Sequence, residues 1–455
     1  MSKSVEKISS RSLFFFTLPT IGFGYMFGLV NLYLLIFATD YLHIAPAVVG
    51  LIFGISRLWD AFSDPLVGYL SDRTKSRWGR RRPWLAASAI PMAVAFFILF
   101  NSAPEMSNVA KGWWLGLGII LFYSASTLFY VPHFAIGAEL TDDYHQRNTV
   151  FGFRHAGWLG GYILGIGGIW LLTKAAEDGQ AAVLELAGQQ AAIWGTITAI
   201  ALFLCAANMR ERPEFVSKGG AAALPAMLDV FRNPHARNIL LVVFIDNISF
   251  ALTSSMVLYI CTYILQQPLA ATKFILAFML PSFLLVPIWM PLARRFGKKY
   301  LYLFSILLSA LAFGAMFNLG VGDESLMLLL GAMAGVANGC GMTIGPSIYA
   351  DVIDYDELQT GQRKEGAYFA VWSFVWKSAT GLVLMVIGVV LSYVGFVPNE
   401  TQSEPVMLAM RLMFTVIPCF CYLLGGMVFA MFALNETAYQ EMRLELDAKR
   451  AQADS

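Results

Sequence analysis

The chain contains 455 residues, of which 58% are hydrophobic and only 13% are charged. Soluble domains carry about 25% charged residues, so this composition excludes an ordinary soluble domain and predicts a membrane protein with several spanning segments. The formal net charge is +1, so the sum of the charges indicates no class of partner. We expect a lipid bilayer around the protein and no nucleic acid bound to it.

Apolar segments long enough to cross a bilayer, about 20 residues each, recur along the chain. The first follows a short basic stretch and is longer than the roughly 7–15-residue core of a cleavable signal peptide, so we expect it to be retained. About twelve spans are predicted, at 13–40, 47–70, 84–103, 112–139, 149–173, 190–208, 238–264, 271–293, 299–319, 326–353, 366–396 and 406–434.

Lysine and arginine are concentrated in alternate loops, which places those loops and both termini in the cytoplasm of a bacterial inner (plasma) membrane. The longest basic connection follows the sixth span. We therefore predict a six-helix bundle over 1–208, a cytoplasmic linker over 209–237, a second six-helix bundle over 238–434 and a cytoplasmic tail over 435–455. The basic loops after spans two and eight occupy equivalent places, as is typical of a transporter with two related halves.

The second predicted span contains two acids, within the sequence RLWDAFSDPLVGYLSD. Asp60 and Asp64 are four residues apart, so both carboxylates lie on one helix face. Two anions so close in a medium of low dielectric repel each other and need a cation, a proton or a basic neighbour. Na⁺ is a hard ion that prefers oxygen ligands, and Ser56 and Ser63 supply hydroxyls nearby. The alternative is a structural ion pair in which Arg57 neutralises Asp60.

Two cations, Arg154 and Lys377, lie deep in apolar segments, one in each half of the chain. Charged side chains inside a membrane are costly and usually functional, so we predict that both line the transport pathway. The alternative is snorkelling of the side chains to a membrane surface. Asp246, in the seventh span, is a further intramembrane acid that could pair with either cation or line the pathway.

More acids lie where predicted spans end. Glu139 and Asp142 close the fourth span, and we predict that they cap and gate its cytoplasmic end. Asp351 and Asp354 close the tenth span, close to Arg363 in the following loop. They could meet the basic loops and latch the cytoplasmic side, or they could simply form a solvated helix end.

Aromatic side chains accompany these polar groups. The candidates are Tyr25, Tyr130, Trp158, Trp372 and Trp376. Aromatic faces beside hydrogen-bonding groups suit sugar rings, but they also suit a lipid headgroup, an interface belt or plain packing.

Sequence templates for enzymes are missing. The chain has no G-x-x-x-x-G-K-[ST] and no H-E-x-x-H, and its five histidines show no metal-ligand spacing. The five cysteines fall within predicted spans, so a disulfide framework is not expected. We therefore predict a protein that is not an enzyme and that needs no cofactor besides a coupling ion, Na⁺ or H⁺.

The stretch RLWDAFSDPLVGYLSDRTKSRWGRRRPW resembles the signature of the glycoside–pentoside–hexuronide:cation symporters, a branch of the major facilitator superfamily that includes the melibiose permeases and sodium-dependent lysolipid carriers. Two further segments agree, VPHFAIGAELTDDYHQRNTVFGFR and DVIDYDELQTGQRKEGAYFAVWSFVWKSATG. The resemblance covers both halves. It implies an all-α polytopic membrane protein with the major facilitator fold, about twelve transmembrane helices in two six-helix bundles.

The resemblance also implies site residues. The two acids of the family's cation site fall on Asp60 and Asp64, a hydroxyl of span four falls on Thr127, and Ser63 stands where melibiose permeases have an asparagine. The family's arginine of span five and lysine of span eleven fall on Arg154 and Lys377. The acid of span one that holds galactosyl hydroxyls has no counterpart here, and the acid of span four is replaced by Tyr130. Galactoside specificity is therefore not implied.

These observations predict a secondary active symporter that is functional as a monomer and takes up a sugar or glycoside by alternating access. The substrate is expected near the midplane between the halves, close to Tyr25, Tyr130, Arg154, Trp372 and Lys377. Two alternatives remain: a cation-dependent lysophospholipid or other lipid carrier on the same fold, and a membrane sensor that does not transport.

Overall fold

The computed structural model describes residues 8–101, 106–141, 144–209, 211, 223–361, 364–432, 440–442 and 444. Within these ranges the regular structure is helical, and no strand is present. The chain divides into two compact units. One contains the helices before residue 209 together with residues 388–393 and 397–400, and the other contains the remaining helices.

The first unit contains six long helices. They are α1 (Ser10–Tyr41), α2 (Pro46–Arg73), α3 (Arg82–Phe100), α4 (Asn108–Glu139), α5 (Tyr144–Ala175) and α6 (Gln180–Asn208). Two π-helical turns lie within α1, at Leu29–Tyr33 and Phe37–Tyr41. Such turns occur mostly as local bulges inside longer helices.

The second unit contains a short helix and seven longer ones. They are α7 (Ala223–Val230), α8 (Pro234–Ile264), α9 (Ala270–Leu284), α10 (Val286–Phe296), α11 (Lys298–Ala315), α12 (Glu324–Thr360), α13 (Glu365–Tyr393) and α14 (Glu404–Ala430).

Helix starts follow the capping chemistry of the sequence. The hydroxyl of Ser9 accepts a hydrogen bond from the Ser12 amide, and that of Ser107 accepts from the Ala110 amide. The side chain of Asn233 accepts from two amides at the start of α8. Each side chain satisfies backbone donors that the helix itself leaves without partners. At the other end, Gly361 closes α12 with a φ of 68°, a conformation that favours glycine.

Ten helical segments of the described chain are long and apolar enough to cross a membrane, and the bent pair α9–α10 makes an eleventh. The one remaining predicted span, the second along the chain, is α2. Its 28 residues are long enough to cross a membrane, but its interior charges reduce its hydropathy. The span predicted at 271–293 is not one straight helix: α9 and α10 meet at a 55° bend. Pro281 and Pro287 flank this bend, and proline removes a helix hydrogen bond and crowds the preceding turn.

In the first unit, α1 and α5 approach each other closely through glycines. A Cβ atom at Gly161 would lie 1.8 Å from the carbonyl oxygen of Ile21, and one at Gly24 would lie 2.1 Å from that of Trp158. No larger side chain fits at either position without moving the backbone. Small residues permit such contact between helices in membranes, and here they hold α5, which carries Arg154, against α1.

Candidate functional site

The two acids of α2 converge on one hydroxyl of α4. The Oγ1 atom of Thr127 lies 3.0 Å from Oδ1 of Asp60 and 2.9 Å from Oδ1 of Asp64. The hydroxyl of Ser63 lies 3.2 Å from the same Oγ1 atom. Asp60, Ser63 and Thr127 are buried, at 5%, 6% and 2% exposure. The four predicted cation-site residues therefore form one group, which we call the α2–α4 oxygen cluster.

The chemistry of this cluster follows from counting donors. Thr127 carries a single hydroxyl proton, so it donates to only one of the two carboxylates at a time. The oxygen atoms of two carboxylates and two hydroxyls thus lie close together. A hard cation prefers such an arrangement of carboxylate and hydroxyl oxygens. The cluster is suited to Na⁺, and either carboxylate is suited to a proton.

Arg57 lies beside the cluster and has partners of its own. Its Nη2 atom donates to Oδ1 of Asn31 at 2.9 Å, and its guanidinium carbon lies 4.3 Å from the centroid of the Tyr123 ring. Arg57 is 2% exposed, so the asparagine and the aromatic face hold a buried cation in place. Ser56, the other hydroxyl suggested by the sequence, donates to the carbonyl oxygen of Phe53 at 2.7 Å.

Arg154 lies against aromatic rings of α4. Its guanidinium carbon is 4.6 Å from the centroid of Tyr130 and 5.3 Å from that of Phe134. Tyr130 is 44% exposed, so this ring is accessible from outside the packed core. The structure thus brings together two predicted substrate residues of the first unit. A planar cation stacked on aromatic rings can bind polar oxygen atoms on its free edges.

His133 orients Arg154. The sequence had indicated no role for this histidine beyond the lack of metal-ligand spacing. Its Nε2 atom lies 2.8 Å from the carbonyl oxygen of Phe16, and a carbonyl oxygen only accepts, so Nε2 carries the ring proton. Its Nδ1 atom therefore has a lone pair, which accepts from Nε of Arg154 at 3.3 Å. The imidazole also stacks on the Phe16 ring, with the ring centroids 4.1 Å apart. The sequence could have indicated this role, because His133 lies three residues after Tyr130 and therefore on the same face of α4.

Tyr25 departs from the prediction that it contacts the substrate. It is 2% exposed, its hydroxyl donates to Oε1 of Gln190 at 2.6 Å, and its ring stacks on Trp194 with centroids 4.1 Å apart. A buried tyrosine hydroxyl needs a hydrogen-bond partner, and α6 supplies one. Tyr25 therefore joins α1 to α6 inside the first unit.

The second unit carries the remaining predicted substrate residues on α13. The edge of Trp372 packs against Tyr349, with an interplanar angle of 89°. Both rings line a small, mostly apolar pocket, together with Ala236 and Tyr368 among others. Trp376 and Lys377 follow within the same helix and are half-buried.

Asp246, for which pairing with Lys377 or Arg154 or a place along the transport pathway was predicted, has the neutral Tyr302 as its hydrogen-bond partner. Its Oδ2 atom accepts from the hydroxyl of Tyr302 at 3.4 Å. Its Oδ1 atom is buried and has no hydrogen-bond partner among the described residues. The reason is geometric, because tyrosines rather than basic side chains surround this part of α8.

Glu139 takes part in a network of ion pairs where α4 ends. Its Oε1 atom lies 2.8 Å from Nη2 of Arg80 and 2.8 Å from Nη1 of Arg81. Arg81 also reaches Oδ1 of Asp72 at 2.7 Å. Glu139 thus has two basic partners at the end of α4, and its gating role stays a prediction. Asp142, predicted to act with it, lies outside the described residues.

Glu211 completes that network and was not anticipated. Its carboxylate accepts from the backbone amides of Arg80, Arg81 and Arg82 at 2.7–2.9 Å. These amides lie where α3 begins, and a helix N-terminus favours a negative charge. The sequence shows Glu211 within Arg-Glu-Arg-Pro, but it does not indicate which backbone amides the carboxylate contacts.

The acids at the end of α12 pair with bases of their own unit. Asp351 lies 2.7 Å from Nζ of Lys298, at the start of α11, and Asp356 lies 3.7 Å from Nζ of Lys364. Asp354 is buried at 6% exposure. Arg363, predicted to join these acids, lies outside the described residues.

With the geometry established, comparison with known proteins identifies the family. The family model for MFS/sugar transport proteins matches residues 15–436. The chain belongs to this family. Both the family and the fold are those of transporters. The chain is a multi-pass membrane protein of a bacterial-type transporter family, as the sequence resemblance implied.

Individual relatives span nearly the whole chain. The isoprimeverose transporter of Lactiplantibacillus pentosus is 29% identical over 454 residues, covering 97% of this chain and 92% of the relative. The sodium-dependent lysophosphatidylcholine symporter 1 of Mus musculus is 25% identical over 460 residues, covering 94% and 86%. Among solved structures, a D-xylose-proton symporter superposes with a TM-score of 0.65 at 16% identity, covering 92% of this chain and 97% of that one. The predicted fold class is confirmed.

Proposed function

We propose that this protein is a secondary active symporter that couples the movement of Na⁺ or H⁺ to uptake of a sugar or glycoside. Membership of the MFS/sugar transport family and the likeness to an isoprimeverose transporter support the substrate class. The observation that carries the coupling is the convergence of Asp60 and Asp64 on the hydroxyl of Thr127.

The cation acts in this proposal by removing a repulsion. Two carboxylates joined by one hydroxyl proton repel in a buried environment. A bound monovalent cation offsets one of the two charges and so reduces the repulsion between the carboxylates, which lets α2 and α4 pack closely and favours the arrangement that accepts substrate. If cation binding tightens substrate binding by some factor, substrate must tighten cation binding by the same factor.

The substrate contacts proposed within the first unit are Tyr130 and Arg154. Trp372 and Lys377 stay candidates within the second unit. An aromatic face covers a sugar ring, while guanidinium and ammonium groups donate to hydroxyl oxygens. No cofactor besides the coupling ion is part of the proposal. The proposal also includes function as a monomer in the plasma membrane. The distribution of basic loops supports a cytoplasmic location of both termini.

One observation favours a second substrate class. The small pocket beside Tyr349 and Trp372 is lined mostly by aliphatic and aromatic side chains, a surface that suits apolar groups. A sodium-dependent lysophosphatidylcholine symporter is also among the relatives. A lysophospholipid carrier is therefore the alternative, on the same cation site.

Transport by purified protein in sealed proteoliposomes tests the proposal. Radiolabelled isoprimeverose is supplied under an inward Na⁺ gradient, an inward H⁺ gradient or no gradient. We expect accumulation above the external concentration under one of the two gradients. Equal uptake in all three conditions contradicts symport, and gradient-driven uptake of lysophosphatidylcholine without any sugar uptake supports the alternative.

A further inference from the structure

Besides the α2–α4 oxygen cluster, the described chain contains an acid deep in a spanning helix with no cation beside it. Asp246 lies in the middle of α8, whose apolar segment runs from Pro234 to Ile264. The Oδ1 atom of its carboxyl group is shut off from solvent and lacks a hydrogen-bond partner among the described residues. Its Oδ2 atom has one partner, the hydroxyl of Tyr302.

That one hydrogen bond stabilises a negative charge poorly. The 3.4 Å separation of the oxygens is long for an O–H···O hydrogen bond, which is normally about 2.5–3.0 Å. A well-bound carboxylate accepts several short, charge-assisted bonds, as Glu211 does from three backbone amides. Asp246 has no comparable set of donors.

Within the described part of the chain, no positively charged group of another helix faces Asp246. The titratable groups facing Asp246 are Tyr302 of α11, Tyr349 of α12, and Cys421 and Tyr422 of α14. Each of these groups is uncharged in its protonated form. Gly425 of α14 provides the space for the carboxyl group, since a Cβ atom there would lie 3.0 Å from Oδ1. An isolated carboxylate in such a site costs far more free energy than a neutral acid.

We propose that Asp246, with the hydroxyls of Tyr302 and Tyr349, forms a proton-binding site in the second unit, separate from the α2–α4 oxygen cluster. The carboxyl group binds one proton when the helices are packed as described here. The Tyr302 hydroxyl donates to Oδ2 of that carboxyl group, and the Tyr349 hydroxyl is hydrogen-bonded to that of Tyr302. A single acid without other oxygens of formal negative charge suits H⁺, whereas Na⁺ takes several oxygen ligands.

Infrared difference spectroscopy of the purified full-length protein in lipid tests the site directly, because a protonated carboxyl group has a C=O stretch that a carboxylate lacks. Asp246→Asn should remove one such band. Asp323→Asn is the matched control, since Asp323 belongs to the same unit but caps the Gly320 amide in a loop; it should leave that band unchanged. Raising the pH should remove the band from the wild-type protein. The measurement uses no substrate, so its result is independent of the proposed transport function.

A second variant covers the case in which Asp246→Asn does not fold. Tyr302→Phe removes the one hydroxyl that donates to Oδ2, and a protonated Asp246 should then show its C=O band at a higher frequency. The proposal is overturned if neither variant changes the carboxylic acid bands, since Asp246 is then an anion in this protein. Size-exclusion chromatography and circular dichroism establish which variants are folded.

Discussion

The two units handle buried acids differently. In the first, Asp60 and Asp64 share the hydroxyl of Thr127, and Ser63 adds a further oxygen. In the second, Asp246 lies alone among tyrosines, with one long hydrogen bond. Two adjacent carboxylates create a demand for positive charge that a cation can meet, whereas a single carboxyl group can become neutral by binding one proton.

This difference distinguishes the requirements of a metal-cation site from those of a proton site. A site for a metal cation requires several oxygens held at fixed positions, and α2 and α4 supply them from residues four apart on one helix and a hydroxyl on the other. A site for a proton requires only one carboxyl group and a low-dielectric environment. The two sites therefore differ chemically. One has two carboxylates and two hydroxyls, and the other has one carboxyl group with a single hydroxyl donor.

The largest effect is expected from removing a charge of the pair. Asp60→Asn should raise the Na⁺ concentration needed for half-maximal uptake by about 100-fold or more, because removing one buried charge from a matched set costs about 2–5 kcal/mol. Uptake in proteoliposomes at varied Na⁺ measures this. Asp178→Asn, at an exposed acid of the first unit, is the control. Cation stimulation that survives at wild-type Na⁺ concentrations would remove Asp60 from the site.

A smaller effect is expected from the shared hydroxyl. Thr127→Ala should weaken Na⁺ stimulation about tenfold, because a hydrogen bond to a charged group contributes about 1.5–3 kcal/mol. Thr127→Ser keeps the hydroxyl and should behave like the wild-type protein. If serine fails as badly as alanine, then packing of the threonine methyl group rather than its oxygen is what the site requires.

Much of this arrangement could be predicted from the sequence, for physical reasons. Hydropathy located the spans because a bilayer demands long apolar helices, and the spacing of Asp60 and Asp64 placed them on one face. The place of Thr127 in the cation site was predicted from the family resemblance and not from residue spacing.

Contacts between distant segments could not be predicted in the same way. The roles of His133 and Glu211 depend on Phe16 and on the amides at Arg80–Arg82, which are more than a hundred residues away along the chain. The burial of Tyr25 against Gln190 and Trp194 could not be predicted for the same reason, since nothing local shows which face of α1 meets α6.

His133 offers a way to separate the cation site from the substrate site of the first unit. His133→Phe keeps an aromatic ring against Phe16 but loses the acceptor for Arg154. It should raise the substrate KM about fivefold, equivalent to roughly 1 kcal/mol, and leave the Na⁺ dependence unchanged. His133→Gln, which has both an acceptor and a donor, should restore part of the affinity. A changed Na⁺ dependence would mean that the two sites are not separable at this residue.

The smallest effect on transport is expected far from both groups of acids. Glu211→Gln keeps the size of the side chain but removes the negative charge from the start of α3, where three amides point at it. A capping interaction of this kind contributes about 1 kcal/mol, so thermal unfolding of the detergent-solubilised protein should occur a few degrees lower, with Na⁺ affinity unchanged. If Na⁺ affinity falls instead, the ion pairs around Glu139 and the α2–α4 oxygen cluster are energetically coupled along α2 and α4. The Glu139 ion pairs and the α2–α4 oxygen cluster could then no longer be treated as independent of each other.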